Sequence, residues 1–288
     1  MIDFFLDHLT HEKRASSHTV TAYQQDLAQF SAYLATTYEV NALEKATYFM
    51  IRSWIVSLVE QDLKNKSVNR KIATLRGFFS YLHKHGKIDA NPMQKIKGLK
   101  TPQNLPTYLE EKPMEKLLSD ISFPADWTGV RDQLVVEMFY GTGIRLAELI
   151  SLSVQDVDLS GRKISVTGKR NKQRIVPLTE PLSQLISRYL EEKPFDTQHF
   201  ICTNTGEKAY PMFIQRLVKK YLGYVTSLQK RSPHVLRHTF ATHLLNNGAE
   251  LNAIKELLGH ASLSATQIYT HNSIEKLRKI HEQAHPKG

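Results

Sequence analysis

Gly98-Leu99-Lys100-Thr101-Pro102-Gln103-Asn104-Leu105-Pro106 is polar, carries two prolines and shows no hydrophobic period. Proline fixes φ and lacks a backbone donor, so such a run interrupts helices and reads as a connector between domains. It follows Asn91-Pro92, which closes a helical region, and helical pattern resumes near Glu110. The expected organisation is a helical domain over 1–97, a linker over 98–107 and a larger domain over 108–288.

Upstream, Val20, Tyr23, Leu27, Phe30, Tyr33 and Leu34 recur at helical spacing between Ser17 and Tyr38. Thr47 to Leu63 repeats the pattern with Phe49, Ile51, Trp54, Ile55, Leu58 and Val59. Ser67 is a suitable cap for a third helix that buries Ile72, Leu75, Phe78, Phe79 and Leu82 and stops near Gly86. Its basic residues Arg70, Lys71 and Arg76 are then expected on another face.

Downstream the period changes. Lys163-Ile164-Ser165-Val166 and Arg174-Ile175-Val176-Pro177 read as short strands, with Gly168-Lys169-Arg170-Asn171 as the turn between them. From Leu182 the chain is again helical. The fold class is therefore mainly α: a helical N-terminal domain and a mostly helical second domain with a small antiparallel β-sheet.

Composition narrows the function. Two fifths of the 288 residues (41%) are hydrophobic, enough for well-buried cores. No apolar run is long enough to span a bilayer, and Met1-Ile2-Asp3-Phe4 lacks the basic flank and apolar core of a secretory signal. Cys202 is the single cysteine, so an intramolecular disulfide and a thiolate cluster are excluded; a cytoplasmic protein is expected. The net charge of +10 favours a polyanionic partner. Residues 1–62 carry 4 basic and 8 acidic side chains, whereas 63–100 carry 10 basic side chains and Asp89 alone as an acid. This swing suggests a face for phosphates, with Lys64, Lys66, Arg70, Lys71 and Arg76 as DNA-binding candidates; a solvated helix surface is the alternative.

Ser232-Pro233-His234-Val235-Leu236-Arg237-His238-Thr239-Phe240 carries the strongest chemical signal. Ser232 suits an N-cap and Pro233 the first helical position, which puts His234 and Arg237 on one face of the first turn, where an anion is favoured. His234 and His238 also have zinc-helix spacing, but no glutamate lies between them and Arg237 would repel a dication. Arg145, in Gly141-Thr142-Gly143-Ile144-Arg145-Leu146-Ala147-Glu148-Leu149, stands near a helix start and can face an anion or pair with Glu148. Gly259 ends a helix just before His260, and Tyr269 falls one turn into a short helix opened by Ser264 and Gln267. Taken singly, Tyr269 reads as a core or interface residue and Lys169 as an exposed hairpin tip.

Taken in order, Arg145, Lys169, His234-x-x-Arg237, His260 and Tyr269 resemble the catalytic set of the tyrosine recombinases, or phage-integrase family, and the whole chain resembles the Xer-like subgroup. The first-arginine box, the His234 to His243 box and the stretch from Leu257-Leu258-Gly259-His260 through Tyr269-Thr270-His271 carry the likeness. Arg170 follows Lys169 where relatives often have glycine, and Ala147 stands where serine is common.

The resemblance implies phosphoryl transfer without metal or cofactor. Tyr269 would attack a DNA phosphodiester and hold a 3′-phosphotyrosine until the 5′-hydroxyl of a partner strand displaces it. Arg145, Arg237 and His260 would meet charge on the non-bridging oxygens, Lys169 would protonate the leaving oxygen, and His234 would act as base. It also implies a double-stranded DNA recombination site, a homo- or hetero-tetramer assembled through a C-terminal exchange helix, a second recombinase and a septal DNA translocase. Chromosome dimer resolution is the implied role. A mobile-element integrase or invertase, and a non-catalytic DNA-binding protein, are the alternatives.

Overall fold

The computed structural model describes residues 1–102, 107–168, 173–259, 280–281 and 283–286. The chain divides into two compact units, Met1–Asn104 and Leu105–Gly288. The expected fold class holds: both units are helical, and the second carries a three-stranded antiparallel sheet.

The first unit is built from α1 (Ile2–Asp7), α2 (Ser17–Tyr38), α3 (Tyr48–Glu60) and α4 (Asn65–Lys84). Ser16 caps α2 by accepting from the Thr19 amide, and Thr47 caps α3 by accepting from the Met50 amide. The inward stripes meet in one core: Leu27, Phe30 and Leu34 from α2, Ile51, Trp54 and Leu58 from α3, and Ile72, Leu75, Phe78 and Phe79 from α4. Phe30 and Trp54 pack with ring centroids 4.8 Å apart. Two expectations need correcting. Phe49 and Val59 are 74% and 43% exposed, because the buried arc of α3 is narrower than its apolar composition suggests. The third helix begins at Asn65, with Lys64 as cap, so Ser67 lies inside the first turn.

Lys71 also departs from its expected face. It is 4% exposed and donates to Asp26 Oδ1 at 2.9 Å and to Gln29, with Nζ 5.8 Å from the Trp54 ring centroid. Asp26 is itself buried and also accepts from Arg70 and from Thr74 at 2.9 Å. A buried carboxylate must be paired and hydrogen-bonded, and the basic face of α4 supplies the partners. After α4, Met93 and Ile96 return to the core. Asn69 then holds both backbone groups of Leu99, at 2.7 and 2.8 Å, and Asn65 donates to the Lys100 carbonyl at 2.9 Å. The first residues of the proline-bearing stretch are thus bonded to α4.

The second unit comprises α5 (Glu111–Ser119), α6 (Trp127–Thr142), α7 (Leu146–Ser151), β1 (Val157–Asp158), β2 (Lys163–Thr167), β3 (Gln173–Pro177), α8 (Glu180–Glu192), α9 (Pro211–Val225), α10 (Pro233–Asn246) and α11 (Leu251–Leu258). Helix α6 is buried from Gly129 nearly without interruption and is the central post of this unit, packed by α8 and α10. The sheet runs β1-β2-β3, with Ile164 opposite Val176 and Val166 opposite Arg174. Ile164, Val166, Val176 and Arg174 are all buried, so Arg174 occupies an inward strand position. Near the C-terminus, His281 bonds to the Gly141 carbonyl at 2.8 Å and Ala284 accepts from Asn247 at 2.8 Å. The described part of this tail therefore packs on its own unit.

Candidate active site

Arg145 is the cap residue of α7, and its extended backbone turns the chain out of the α6 end. Its amide donates to Glu148 Oε2 at 2.8 Å and its Nη1 to Oε1 at 2.7 Å. The ion pair with Glu148 that spacing allowed is present. Arg145 Nη2 is free to reach farther and donates to the Gly259 carbonyl at 3.0 Å.

Arg237 lies in the opening turns of α10 and is 8% exposed. It donates to the Gly143 carbonyl and, through Nη2, to the Leu258 carbonyl at 2.7 Å. Arg174 donates from Nε to the Leu257 carbonyl at 3.0 Å. Three guanidinium groups thus cap three consecutive carbonyls, Leu257, Leu258 and Gly259, where α11 ends. Carbonyls at a helix C-terminus carry the negative end of the helix dipole, so cations are favoured there.

Glu148 anchors the cluster. It is 4% exposed and takes a bidentate pair from Arg174, at 2.8 and 2.9 Å, besides the Arg145 bonds. Burial pushes its carboxyl up, but the hydrogen bonds and charge of Arg174 and the Arg145 contacts outweigh this and hold it at about 2. Arg237 is drawn down to about 10, first by burial and then by the charge of Arg145, with Arg174 adding to it. Among the described residues, the three guanidinium groups and Glu148 leave two positive charges uncompensated. An arrangement of this kind is suited to an anion with oxygens to share between two planar donor forks.

His234 stands in the first turn of α10, exposed, with its ring centroid 4.3 Å from that of His238. Desolvation and the positive neighbours His238, Lys230 and Arg237 lower its pKa, so its neutral, proton-accepting form prevails at neutral pH. His243, in the same box, is buried between the Tyr140 hydroxyl (3.0 Å) and the Leu109 carbonyl (2.9 Å), which is a packing role. Lys169, His260 and Tyr269 lie outside the described residues.

Sequence reasoning missed Arg174, and took Glu148 only as a local partner of Arg145. The signal for Arg174 was an arginine two residues before Val176, on the buried face of its strand. It also missed a basic surface on α9, where Arg216, Lys219 and Lys220 line an open depression of about 430 Å³ with Arg231 and Tyr224.

The family model described as "Phage integrase family" matches residues 107–276, and its "N-terminal SAM-like domain" matches residues 2–86. The chain belongs to the phage integrase family. A tyrosine recombinase XerC of Oceanobacillus iheyensis is 38% identical, covering 100% of this chain and 96% of its own length. That of Staphylococcus haemolyticus is also 38% identical, over 99% of this chain and 96% of its own. Among solved structures, XerH recombinase in a pre-cleavage complex with its difH substrate matches with a TM-score of 0.69 at 25% identity, covering 94% of this chain and 80% of that one. The post-cleavage complex gives 0.73 at 24% identity, over 94% and 81%, a likeness of fold. The expected kinship with the Xer-like tyrosine recombinases holds along the full chain, and the enzyme class is that of site-specific DNA cleavage and joining. No helix among the described residues is long and apolar enough to cross a membrane.

Proposed function

We propose that this enzyme breaks one strand of a DNA duplex by attack of the Tyr269 hydroxyl on a backbone phosphorus. A phosphorus–oxygen bond to tyrosine forms as the bond to the 5′-oxygen breaks. The tyrosine proton passes to His234, and the leaving oxygen takes a proton from Lys169. Attack by the 5′-hydroxyl of a partner strand reverses both steps and frees Tyr269, so bond energy is conserved. Arg145 and Arg237 hold the non-bridging oxygens with His260 and oppose the charge that builds there. The convergence of Arg145 and Arg237 on adjacent carbonyls at the end of α11 carries this reading.

The two-domain plan, 1–97 and 108–288 joined through 98–107, would let the protein close on a duplex. Lys64, Lys66, Arg70 and Arg76 on the first domain, and Arg216 and Lys219 on α9, would neutralise backbone phosphates. Chromosome dimer resolution by a tetramer on DNA, with a second recombinase and a septal DNA translocase as partners, is the role that suits kinship with the XerC enzymes. The test is to sequence DNA trapped covalently on the protein in its native host. Wild type should yield fragments sharing one site, and Tyr269→Phe should yield none. Adducts persisting in Tyr269→Phe would end the assignment.

A further inference from the structure

Arg174 is the best-buttressed of the three guanidinium groups and the one without a place in the mechanism. It is 5% exposed, on the inward face of β3 opposite Val166. Nη1 and Nη2 grip the two Glu148 oxygens at 2.8 and 2.9 Å while Nε holds the Leu257 carbonyl at 3.0 Å. A planar fork on a carboxylate fixes rotation as well as distance, which an ammonium cannot do.

Two parts of the site hang on this grip. The first is Glu148, whose remaining bonds go to the amide and guanidinium of Arg145. The second is the end of α11, which leads directly into His260. Gly259 shows how close the approach is. A Cβ there would lie 3.0 Å from Arg174 Cδ and 3.1 Å from Nε, so glycine serves both its φ of +64° and the passage of Arg174. A pair that served packing alone would need one cation for one carboxylate. Here Glu148 takes two, and Arg237 adds a third guanidinium on the next carbonyl. Buried excess charge is unfavourable to folding, and it suits a place that receives an anion.

We infer that Arg174 is a positioning residue for strand cleavage, holding Glu148, and through it Arg145, together with the α11 end in register for the phosphate. This rests on the recombinase mechanism proposed above and deepens it. Arg174 acts through Arg145 and the backbone before His260, since three of its donors are already taken by protein groups.

The test uses the full chain with Arg174→Lys, which keeps the charge and loses the fork. The probe is a nicked duplex carrying the sequence recovered from wild-type covalent adducts. Adduct formation in a single turnover should slow by about 10²-fold, as small misplacements of reacting groups do. The dissociation constant for the uncleaved duplex should stay within about threefold, because phosphate contacts elsewhere set it. Combined with Arg145→Lys, the further loss from Arg174→Lys should shrink to less than about threefold, since both act through one carboxylate. Wild-type adduct rates per folded molecule in Arg174→Lys, or independent losses in the double variant, would overturn the inference. Should Arg174→Lys not fold, Arg174→Gln with Glu148→Gln removes both charges of the pair. It should fold and still lose about 10²-fold, and an undiminished rate there would equally overturn it. Wild type forming no adduct at all would instead bring down the recombinase mechanism, and this inference with it.

Discussion

Arg145 closes on Glu148 from both ends, its amide on one carboxylate oxygen at 2.8 Å and its guanidinium on the other at 2.7 Å. With the Arg174 fork also in place, the carboxyl titrates at about 2 instead of 4.5. A lowered folded-state pKa stabilises above the unfolded value and loses that contribution as pH falls through the folded one. The contribution is about 2 kcal/mol after allowance for solvent screening. Glu148→Gln should therefore cost about 3 kcal/mol at neutral pH, because it strips the buried Arg174 guanidinium, and the partly exposed one of Arg145, of their counter-charge. The gap from wild type should narrow between pH 4.5 and about 2, where wild-type Glu148 takes up its proton. Urea denaturation at a series of pH values checks both; a gap that stays constant over that range would show that another group governs acid stability.

His234 should set the acid limb of strand cleavage. Desolvation, and then the charge of its neighbours, lowers its pKa from 6.5, so the base form persists to a lower pH than in a free imidazole. Single-turnover adduct formation should rise with pH through an apparent pKa below 6.5 and level off by neutrality. His234→Gln should flatten that limb and slow the plateau by about 10²-fold or more. A limb unchanged in the variant would move the base role to another group.

Lys66 and Lys71 are five residues apart on α4 and should respond oppositely to substitution. Lys66 is exposed in the first turn, whereas Lys71 is buried on Asp26. Lys66→Ala should leave stability within about 0.5 kcal/mol and reduce the salt slope of DNA binding by about 1. Lys71→Met should cost about 2–3 kcal/mol, since Arg70 alone remains as a cation on Asp26, and leave the slope unchanged. Binding isotherms at several salt concentrations, beside thermal melts, separate the two. A reduced slope for Lys71→Met would place its ammonium on DNA after all.

What could be read from sequence was local. The span of α2, the stop at Gly86 and the β2–β3 pairing follow from periodicity and caps, which act within a few residues. Arg145 and Arg237 could be singled out by motif, and the structure brings them to one helix end. The supports were hidden because their partners are distant in the chain: Arg174 meets Glu148 across 26 residues, and Lys71 meets Asp26 across 45. Charge composition marked α4 as basic but could not show which of its cations would be drawn inward by Asp26. Phe49 shows the converse, an aromatic residue on a helical stripe that the neighbouring helices leave uncovered.

Gly143 joins stability to the site and gives the most direct test of the backbone around Arg237. It closes α6 with φ +60°, a left-handed conformation that strains other residues, and its carbonyl accepts from Arg237. A Cβ at this position would fall 2.5 Å from Phe240, on the helix that carries Arg237, and 2.8 Å from Leu258, whose carbonyl Arg237 holds. Gly143→Ala must therefore both strain the turn and push α10 or α11 outward. The combined cost should be about 2–4 kcal/mol, seen as a lowered melting temperature. Because the displaced helices carry Arg237 and its Leu258 partner, adduct formation per folded molecule should fall as well, by about 10²-fold. Loss of stability with an intact rate per folded molecule would mean that the guanidinium keeps its place despite the shift, and that the α6 turn supports folding alone.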